Sequence, residues 1–120
     1  MEARIQTASG GQCPIETVIY VIGGKWKPTI LWHLVDSTMR FSELERRIPE
    51  VTQKMLAQHL RELENQSLVT RTIYPTVPPK VEYSLSEYGR TLVPVMQAMC
   101  NWGRDHQQLA SSMPVQQVQG

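Results

Sequence analysis

Apolar residues recur every three or four positions in the first half of the chain, which predicts amphipathic helices. The first helix is expected over 14–22, where Pro14 suits the first turn and a Gly-Gly pair follows the last. A second is expected at about 25–35, with Pro28 tolerated in its first turn. The apolar positions of these two helices are Ile15, Val18, Ile19, Ile22, Trp26, Ile30, Leu31 and Leu34.

Two further helices follow, with only a three-residue turn between them. The third, about 42–48, is expected to start with a capping box between Ser42 and Glu45 and to stop at Pro49. The fourth is the stretch VTQKMLAQHLRELENQ (51–66), for which Thr52 is a good N-cap. Its two faces are opposed: Leu56, Leu60 and Leu63 on one side, Lys54, Gln58, Arg61 and Asn65 on the other. This order of elements is that of a helix-turn-helix.

Alternation replaces helical periodicity after residue 68. VTRTIY (69–74) and KVEYSL (80–85) both alternate as strands do, and the PTVPP segment between them cannot be helical. A hairpin directly after such a helix pair is termed a wing. The last helix is expected at about 87–106, capped by Ser86, with Pro94 marking a kink or a displaced start.

The pattern predicts a mainly α fold with a small β-hairpin wing, a winged helix-turn-helix. We expect a disordered arm over 1–12, one domain over 13–106 and a flexible Gln-rich tail over 107–120. Hydrophobic residues make up 41% and charged residues 19%, as is ordinary for a globular domain. No apolar run approaches the roughly 20 residues that span a bilayer, and the N-terminus lacks the apolar core of a secretory signal. A cytoplasmic location is expected.

Local charge matters more than total charge, because the net charge is only +1. The segment from residue 40 to residue 80 contains seven basic and five acidic residues, a surplus of two positive charges. The polar side of the fourth helix nevertheless combines cations, which contact guanine edges or phosphates, with amides, which pair with adenine. A solvated face is the alternative for any amphipathic helix, but the preceding turn and the following wing favour contact with DNA.

The chain resembles the HxlR-type winged helix-turn-helix transcriptional regulators, which are relatives of the MarR-like regulators. The resemblance covers about residues 13–104, and departs at DST (36–38), where family members usually have a Gly-containing turn. The matching strings are CPIETV, IGGKWKPTILWHL, RFSELERRIP, QKMLAQHLRELE, VPPKVEYSLSEYGR and Trp102 near the end of the last helix.

The resemblance implies a homodimeric DNA-binding regulator, expected to be a repressor, that places 52–66 in the major groove. The DNA contacts expected from the helices and the wing are Arg40, Ser42, Arg46, Thr52, Gln53, Lys54, Gln58, Arg61, Thr76 and Lys80. The long last helix and the N-terminal region would form the dimer through Ile15, Val18, Ile19, Leu92, Val95, Met96, Met99 and Trp102. The alternative is a winged-helix module that binds protein and does not contact DNA.

Two cysteines are too few for a disulfide framework. Cys13 precedes Pro14 and so falls at about the N-cap of the first helix, where the helix dipole and free N–H groups would favour a thiolate. In thiol-based members of the family that the chain resembles, a cysteine at this position senses oxidants or electrophiles, so the resemblance implies that role for Cys13, with these small molecules as inducers. The alternative is a small, partly buried residue without reactive chemistry. Cys100 is a candidate partner for an intersubunit disulfide, or alternatively a buried apolar residue.

Catalysis is not expected. His33, His59 and His106 fall on separate helices, without a metal-ligand pattern that joins them to the cysteines and without a nucleophile or carboxylate partner. His59 lies towards the apolar side of its helix and is expected to pack there. The sequence therefore predicts no catalytic residue, no metal and no cofactor.

Overall fold

The computed structural model describes residues 14–112, and the predictions made for 1–13 and 113–120 lie outside it. The described elements, in chain order, are α1 (Pro14–Ile22), α2 (Lys27–His33), α3 (Phe41–Arg47), α4 (Gln53–Asn65), β1 (Val69–Tyr74), β2 (Lys80–Leu85), a 3₁₀ helix (Gly89–Leu92) and α5 (Val93–Ser111). The predicted fold class, mainly helical with one two-stranded hairpin and a long C-terminal helix, is confirmed.

The turn between α1 and α2 depends on Gly24, whose φ of 85° is readily adopted by glycine alone. α1 has its predicted bounds, whereas α2 is shorter than predicted and carries Pro28 in its first turn. Ile30 and Leu31 of α2 are completely buried. The second helix therefore packs into the core, whereas most residues of the first are exposed.

The predicted capping box of α3 is wrong. Ser42 and Glu45 lie inside the helix, and Arg40 is the N-cap. The Glu43 carboxylate accepts a hydrogen bond from the Arg40 backbone N–H at 2.7 Å, while the Arg40 carbonyl accepts one from the Glu43 N–H at 3.0 Å. Phe41 packs on the core and occupies the first position of the helix, which makes Arg40 the N-cap. Glu43, and not Glu45, is then the residue three positions after the N-cap and completes the capping box.

α4 has both of its ends capped. Thr52 is the N-cap as predicted, and its Oγ1 accepts a hydrogen bond from the Met55 N–H at 3.1 Å. At the other end the Leu68 N–H donates to the Leu63 carbonyl and the Ser67 N–H to the Glu64 carbonyl, which is a Schellman motif. Local hydrogen bonds therefore define the length of this helix.

The hairpin has the predicted strands. β1 and β2 are antiparallel, with a register that runs from Val69 opposite Leu85 to Tyr74 opposite Lys80. An isolated bridge joins Met39, just before α3, to Tyr83 in β2. The wing is thereby attached to the helix-turn-helix by backbone hydrogen bonds that the sequence pattern did not reveal.

The last helix starts and ends later than predicted. Ser86 does cap a turn, since its Oγ accepts a hydrogen bond from the Gly89 N–H at 2.8 Å, but that turn leads into the 3₁₀ helix. α5 begins at Val93 because Pro94, which lacks an N–H, fits only the first turn of an α helix. It continues to Ser111 instead of 106, so the first part of the predicted flexible tail, rich in helix-forming Gln, Leu and Ala, is helical.

One apolar core joins these elements. Its members, which come from all five helices, both strands and their connections, are Ile22, Ile30, Leu31, Leu34, Met39, Leu44, Ile48, Val51, Leu56, Leu60, Leu63, Leu68, Val69, Leu85 and Met96. α4 is held against this core by one face alone, which leaves its opposite face free.

Candidate nucleic-acid interface

The two faces of α4 are as different as the sequence predicted. Leu56, Leu60 and Leu63 are almost completely buried. The polar positions on the other side, Lys54, Gln58, Arg61 and Asn65, are all exposed. Burial of the leucine face fixes which side of the helix points outward, so the sequence determines the set of groups presented to a partner.

Four exposed cations of this region form no ion pair with another residue of the range 14–112. Lys54 and Arg61 on α4, and Arg40 and Arg46 at the two ends of α3, are exposed. Within residues 14–112 the ion pairs are Lys27–Glu62, His59–Glu62 and Lys80–Glu82, and none of them includes these four cations. Exposed cations beside exposed amides favour a polyanionic partner.

Gln58 has a partner that the sequence prediction did not include. Its Nε2 donates a hydrogen bond to Glu62 Oε2 at 3.2 Å, and Glu62 Oε1 lies 2.9 Å from Lys27 Nζ. The hydrogen bonds from Lys27 and then Gln58 hold the pKa of Glu62 below its ordinary value. The spacing of Gln58 and Glu62, one helical turn apart, was a readable signal. The contact between Lys27 and Glu62 could not be predicted from spacing, because Lys27 reaches Glu62 from another helix.

Helix ends supply the remaining predicted contacts from this region. Ser42 is exposed in the first turn of α3, Thr52 caps α4, and Gln53 is exposed at the first position of α4. His59 is half-buried, as expected of a packing histidine. Its Nδ1 lies 3.7 Å from Glu62 Oε1, so this histidine has a carboxylate neighbour that was not predicted from the sequence.

The two predicted wing contacts make local interactions. Thr76 Oγ1 donates to the Pro78 carbonyl at 2.8 Å, which orders the proline-rich loop. Lys80 Nζ lies 3.6 Å from Glu82 Oε2 and 4.9 Å from the centre of the Tyr74 ring. The interaction with the same carboxylate raises the pKa of Tyr74. Glu82 therefore partly offsets the positive charge of Lys80.

The surface predicted for dimer contact is mostly exposed in one chain. Ile15, Val18, Ile19, Val95, Met99 and Trp102 are exposed apolar residues, and Leu92 is half-buried. Met96 does not belong to this exposed surface as predicted, because it is only 4% exposed and lies in the core of its own chain. The sequence prediction also left out Tyr20 and Leu109, exposed residues of α1 and α5.

Of the two cysteines, only Cys100 lies within the described residues. Cys13 lies outside the described residues, so its proposed sensing role stays a prediction. Cys100 is half-buried beside a groove of about 300 Å³ between α2 and α5, and Arg104 Nη2 donates to its Sγ at 3.2 Å. The groove is lined by Pro28, Thr29, Trp32, Met96, Met99 and Cys100.

Residues 14–112 contain neither a metal-ligand cluster nor a membrane-spanning helix. No group of three or more His, Cys, Asp or Glu side chains in that range is arranged to hold a metal ion. No helix in the same range has the length and apolar character needed to cross a membrane.

Two capped helices at a tight turn, with an antiparallel wing attached to them, define a winged helix-turn-helix protein. The description of the HxlR-like helix-turn-helix family matches residues 21–111, and the chain belongs to this family. Its members are transcriptional regulators, which confirms the resemblance seen in the sequence.

Individual relatives agree with this assignment. The chain is 51% identical over 94 residues to the uncharacterized HTH-type transcriptional regulator YdeP of Bacillus subtilis, covering 78% of this chain and 73% of YdeP. An uncharacterized HTH-type transcriptional regulator of Methanothermobacter thermautotrophicus is 50% identical over 92 residues, 77% of this chain and 70% of that protein.

A solved relative has the same fold. The redox regulator HypR in its reduced form is 47% identical, with a TM-score of 0.79 over 83% of this chain and 99% of that one. In its oxidized form it is 50% identical, with a TM-score of 0.75 over 78% of this chain and 96% of that one.

Proposed function

We propose that the protein is a homodimeric, sequence-specific repressor that binds double-stranded DNA in the cytoplasm, with α4 of each protomer in the major groove. The observation that carries the proposal is the division of α4 into a buried leucine face and an exposed face of cations and amides. The protein acts by binding, and no catalytic step is part of the proposal.

The contacts divide by chemistry. Lys54 and Arg61, with Gln53 and Gln58, are the side chains of α4 that reach base edges or the phosphates beside them. Positions at the helix ends and on the wing bind the sugar-phosphate backbone and set the register of the protein on the duplex. These backbone contacts are Arg40, Ser42, Arg46, Thr52, Thr76 and Lys80.

A homodimer is supported by the exposed apolar residues of α1 and α5. Ile15 and Ile19 on α1, and Met99 and Trp102 on α5, would be covered by a second copy. A two-fold dimer presents two α4 helices, so the operator has two half-sites about one or more helical turns apart. Because the local surplus of positive charge is small, each protomer attracts DNA only weakly, and binding through two half-sites makes up for this by avidity.

Salt-dependent binding to duplexes tests the proposal. Genomic fragments selected by the protein should bind with an affinity that falls steeply as salt rises. The double variant Lys54→Ala, Arg61→Ala should stay folded and dimeric but lose affinity and part of the salt slope, by about 0.9 for each phosphate contact removed. The matched control is Lys25→Ala, Arg104→Ala, which removes the same charge from outside α4 and should bind much as the wild type.

Two results would contradict the proposal. Absence of duplex binding even at low salt would favour a winged-helix module that binds protein. Equal loss of affinity in both double variants would mean that net charge, and not the exposed face of α4, accounts for binding.

A redox response is a second candidate, favoured by the similarity to HypR, which is described as a redox regulator. We propose that oxidation of Cys13 releases the operator, with Cys100 of a second copy as the candidate disulfide partner. Diamide would accept the two electrons and two protons that the pair of thiols loses. Release should disappear in Cys13→Ser, and a response that persists in this variant would exclude Cys13 as the sensor. Loss of the intersubunit disulfide in Cys100→Ser would identify its partner.

A further inference from the structure

An acidic residue lies on the helix that is proposed to read DNA. Glu62 follows Gln58 by one turn of α4, and its side chain is 41% exposed. A carboxylate close to phosphates opposes binding by charge repulsion. Its presence on this helix therefore needs a physical explanation, and its contacts supply one.

Each oxygen of the Glu62 carboxylate holds a different donor. Oε2 accepts from Gln58 Nε2 at 3.2 Å, and Oε1 lies 2.9 Å from Lys27 Nζ of α2. Lys27 is the more buried partner, with 14% of its side chain exposed. It offsets the charge of Glu62 from the protein side. A glutamate carboxylate is already ionised at neutral pH, and the hydrogen bonds from Lys27 and Gln58 lower its pKa further.

This contact determines which way the Gln58 amide faces. An ionised carboxylate only accepts hydrogen bonds, so Gln58 has to turn its NH₂ group, and not its carbonyl oxygen, towards Glu62. The carbonyl oxygen and the second N–H of Gln58 then remain for a partner. Adenine offers the complementary pair in the major groove, an N6 donor beside an N7 acceptor.

We propose that Glu62 is a positioning residue that fixes the Gln58 amide in the orientation that reads adenine, while Lys27 holds Glu62 in place and offsets its charge. The proposal rests on the DNA-binding function proposed above. It assigns to Glu62 an effect on base preference that is separate from its effect on affinity.

The test is selection from a fully randomised duplex library by the wild type, Gln58→Ala, Glu62→Gln and Glu64→Gln. The position whose preference disappears in Gln58→Ala identifies the base that Gln58 reads, and it should be adenine. Glu62→Gln should weaken that preference at least about fivefold, because a second amide no longer dictates which end of the Gln58 amide faces it. Its affinity for unselected duplexes should stay equal or rise, since a negative charge has been removed.

Glu64→Gln is the matched control, because it removes the same charge from the same helix. Within residues 14–112 the Gln58 side chain forms its hydrogen bond with Glu62 and not with Glu64. It should keep the adenine preference. In a Gln58→Ala background, Glu62→Gln should cause no further loss of preference, since the residue through which it acts is gone.

The outcomes separate the two proposals. A wild type that binds duplexes with strong salt dependence, combined with an unchanged preference in Glu62→Gln, overturns the positioning role and leaves the proposed function standing. The same holds if Gln58 reads a base other than adenine. If Glu62→Gln weakens selected and unselected binding in equal proportion and unfolds earlier, Glu62 is only a structural residue. A wild type that binds no duplex overturns the proposed function and this inference with it.

Discussion

Met39 and Tyr83 are joined by two backbone hydrogen bonds that connect the wing to the helix-turn-helix. The Met39 N–H donates to the Tyr83 carbonyl at 2.9 Å, and the Tyr83 N–H donates to the Met39 carbonyl at 2.7 Å. Met39 lies two residues before α3, and Tyr83 lies within β2. The start of α3 and the wing are therefore one hydrogen-bonded unit, and the orientation of the wing is set by the core beneath it.

Met39→Ala should destabilise the protein by about 2–5 kcal/mol, because the Met39 side chain is 4% exposed and its removal leaves a cavity under this bridge. Urea unfolding gives the change in the free energy of unfolding. Met55→Ala, at a position 40% exposed on α4, is the control and should change it by less than about 0.5 kcal/mol. Similar losses in both variants would mean that Met39 does not support the wing from the core.

Thr52→Ala should cost about 1 kcal/mol of stability, since it removes the oxygen that accepts the Met55 N–H at the start of α4. Thr52→Ser keeps the oxygen and should restore most of the loss. Thermal unfolding of both variants measures the difference. If the serine variant is as unstable as the alanine variant, the methyl group and not the cap is responsible.

Gly89→Ala should be strongly destabilising, because a Cβ at Gly89 would overlap the carbonyl oxygen of Leu68 and push the 3₁₀ helix away from the end of α4. Gly103→Ala provides the control, since a Cβ there meets nothing within 4 Å and Gly103 lies inside α5. That variant should be stabilised by up to about 1 kcal/mol. Chemical denaturation of the pair should therefore give changes of opposite sign.

Local signals predicted the parts of this structure that local physics determines. The hairpin has its predicted bounds because two alternating strands flank a segment in which three prolines exclude helix. The fourth helix, α4, follows from the Thr52 cap and the leucine repeat. In α3 the sequence offered two acidic residues for one cap, and only the packing of Phe41 decides between Glu43 and Glu45.

Long-range contacts were not readable from the chain. Lys27 is far from Glu62 in sequence, and Met39 is far from Tyr83, so neither pair leaves a periodic signal. The assignment of Met96 to the dimer surface failed for a related reason. α5 is apolar on more than one side, and periodicity does not distinguish the side that meets its own core from the side left exposed.

Acidification should destabilise the protein through His33. Burial first, and the positive charge of Arg47 second, lower the pKa of this imidazole below its ordinary value of 6.5. As the pH falls below 6.5 the unfolded chain takes up the proton before the folded one, so stability is lost until the folded pKa is passed. His33→Gln should reduce the dependence of the unfolding midpoint on pH in that window. An identical pH profile for the wild type and His33→Gln would exclude His33 as its source.

Ile19→Glu should convert the dimer to a monomer, because it places a charge within the exposed apolar surface of α1 that a second copy is proposed to cover. Ile73→Glu, on the wing, is the matched control, because it changes the net charge by the same amount. Ile19 is 61% exposed and Ile73 is 55% exposed, so the two substitutions should cost the fold a similar amount of stability. Sedimentation velocity should give the monomer mass for Ile19→Glu alone. The same variant should lose the gain in affinity that a duplex with two half-sites has over one with a single half-site. A dimer that survives Ile19→Glu would place the contact between protomers elsewhere on the molecule.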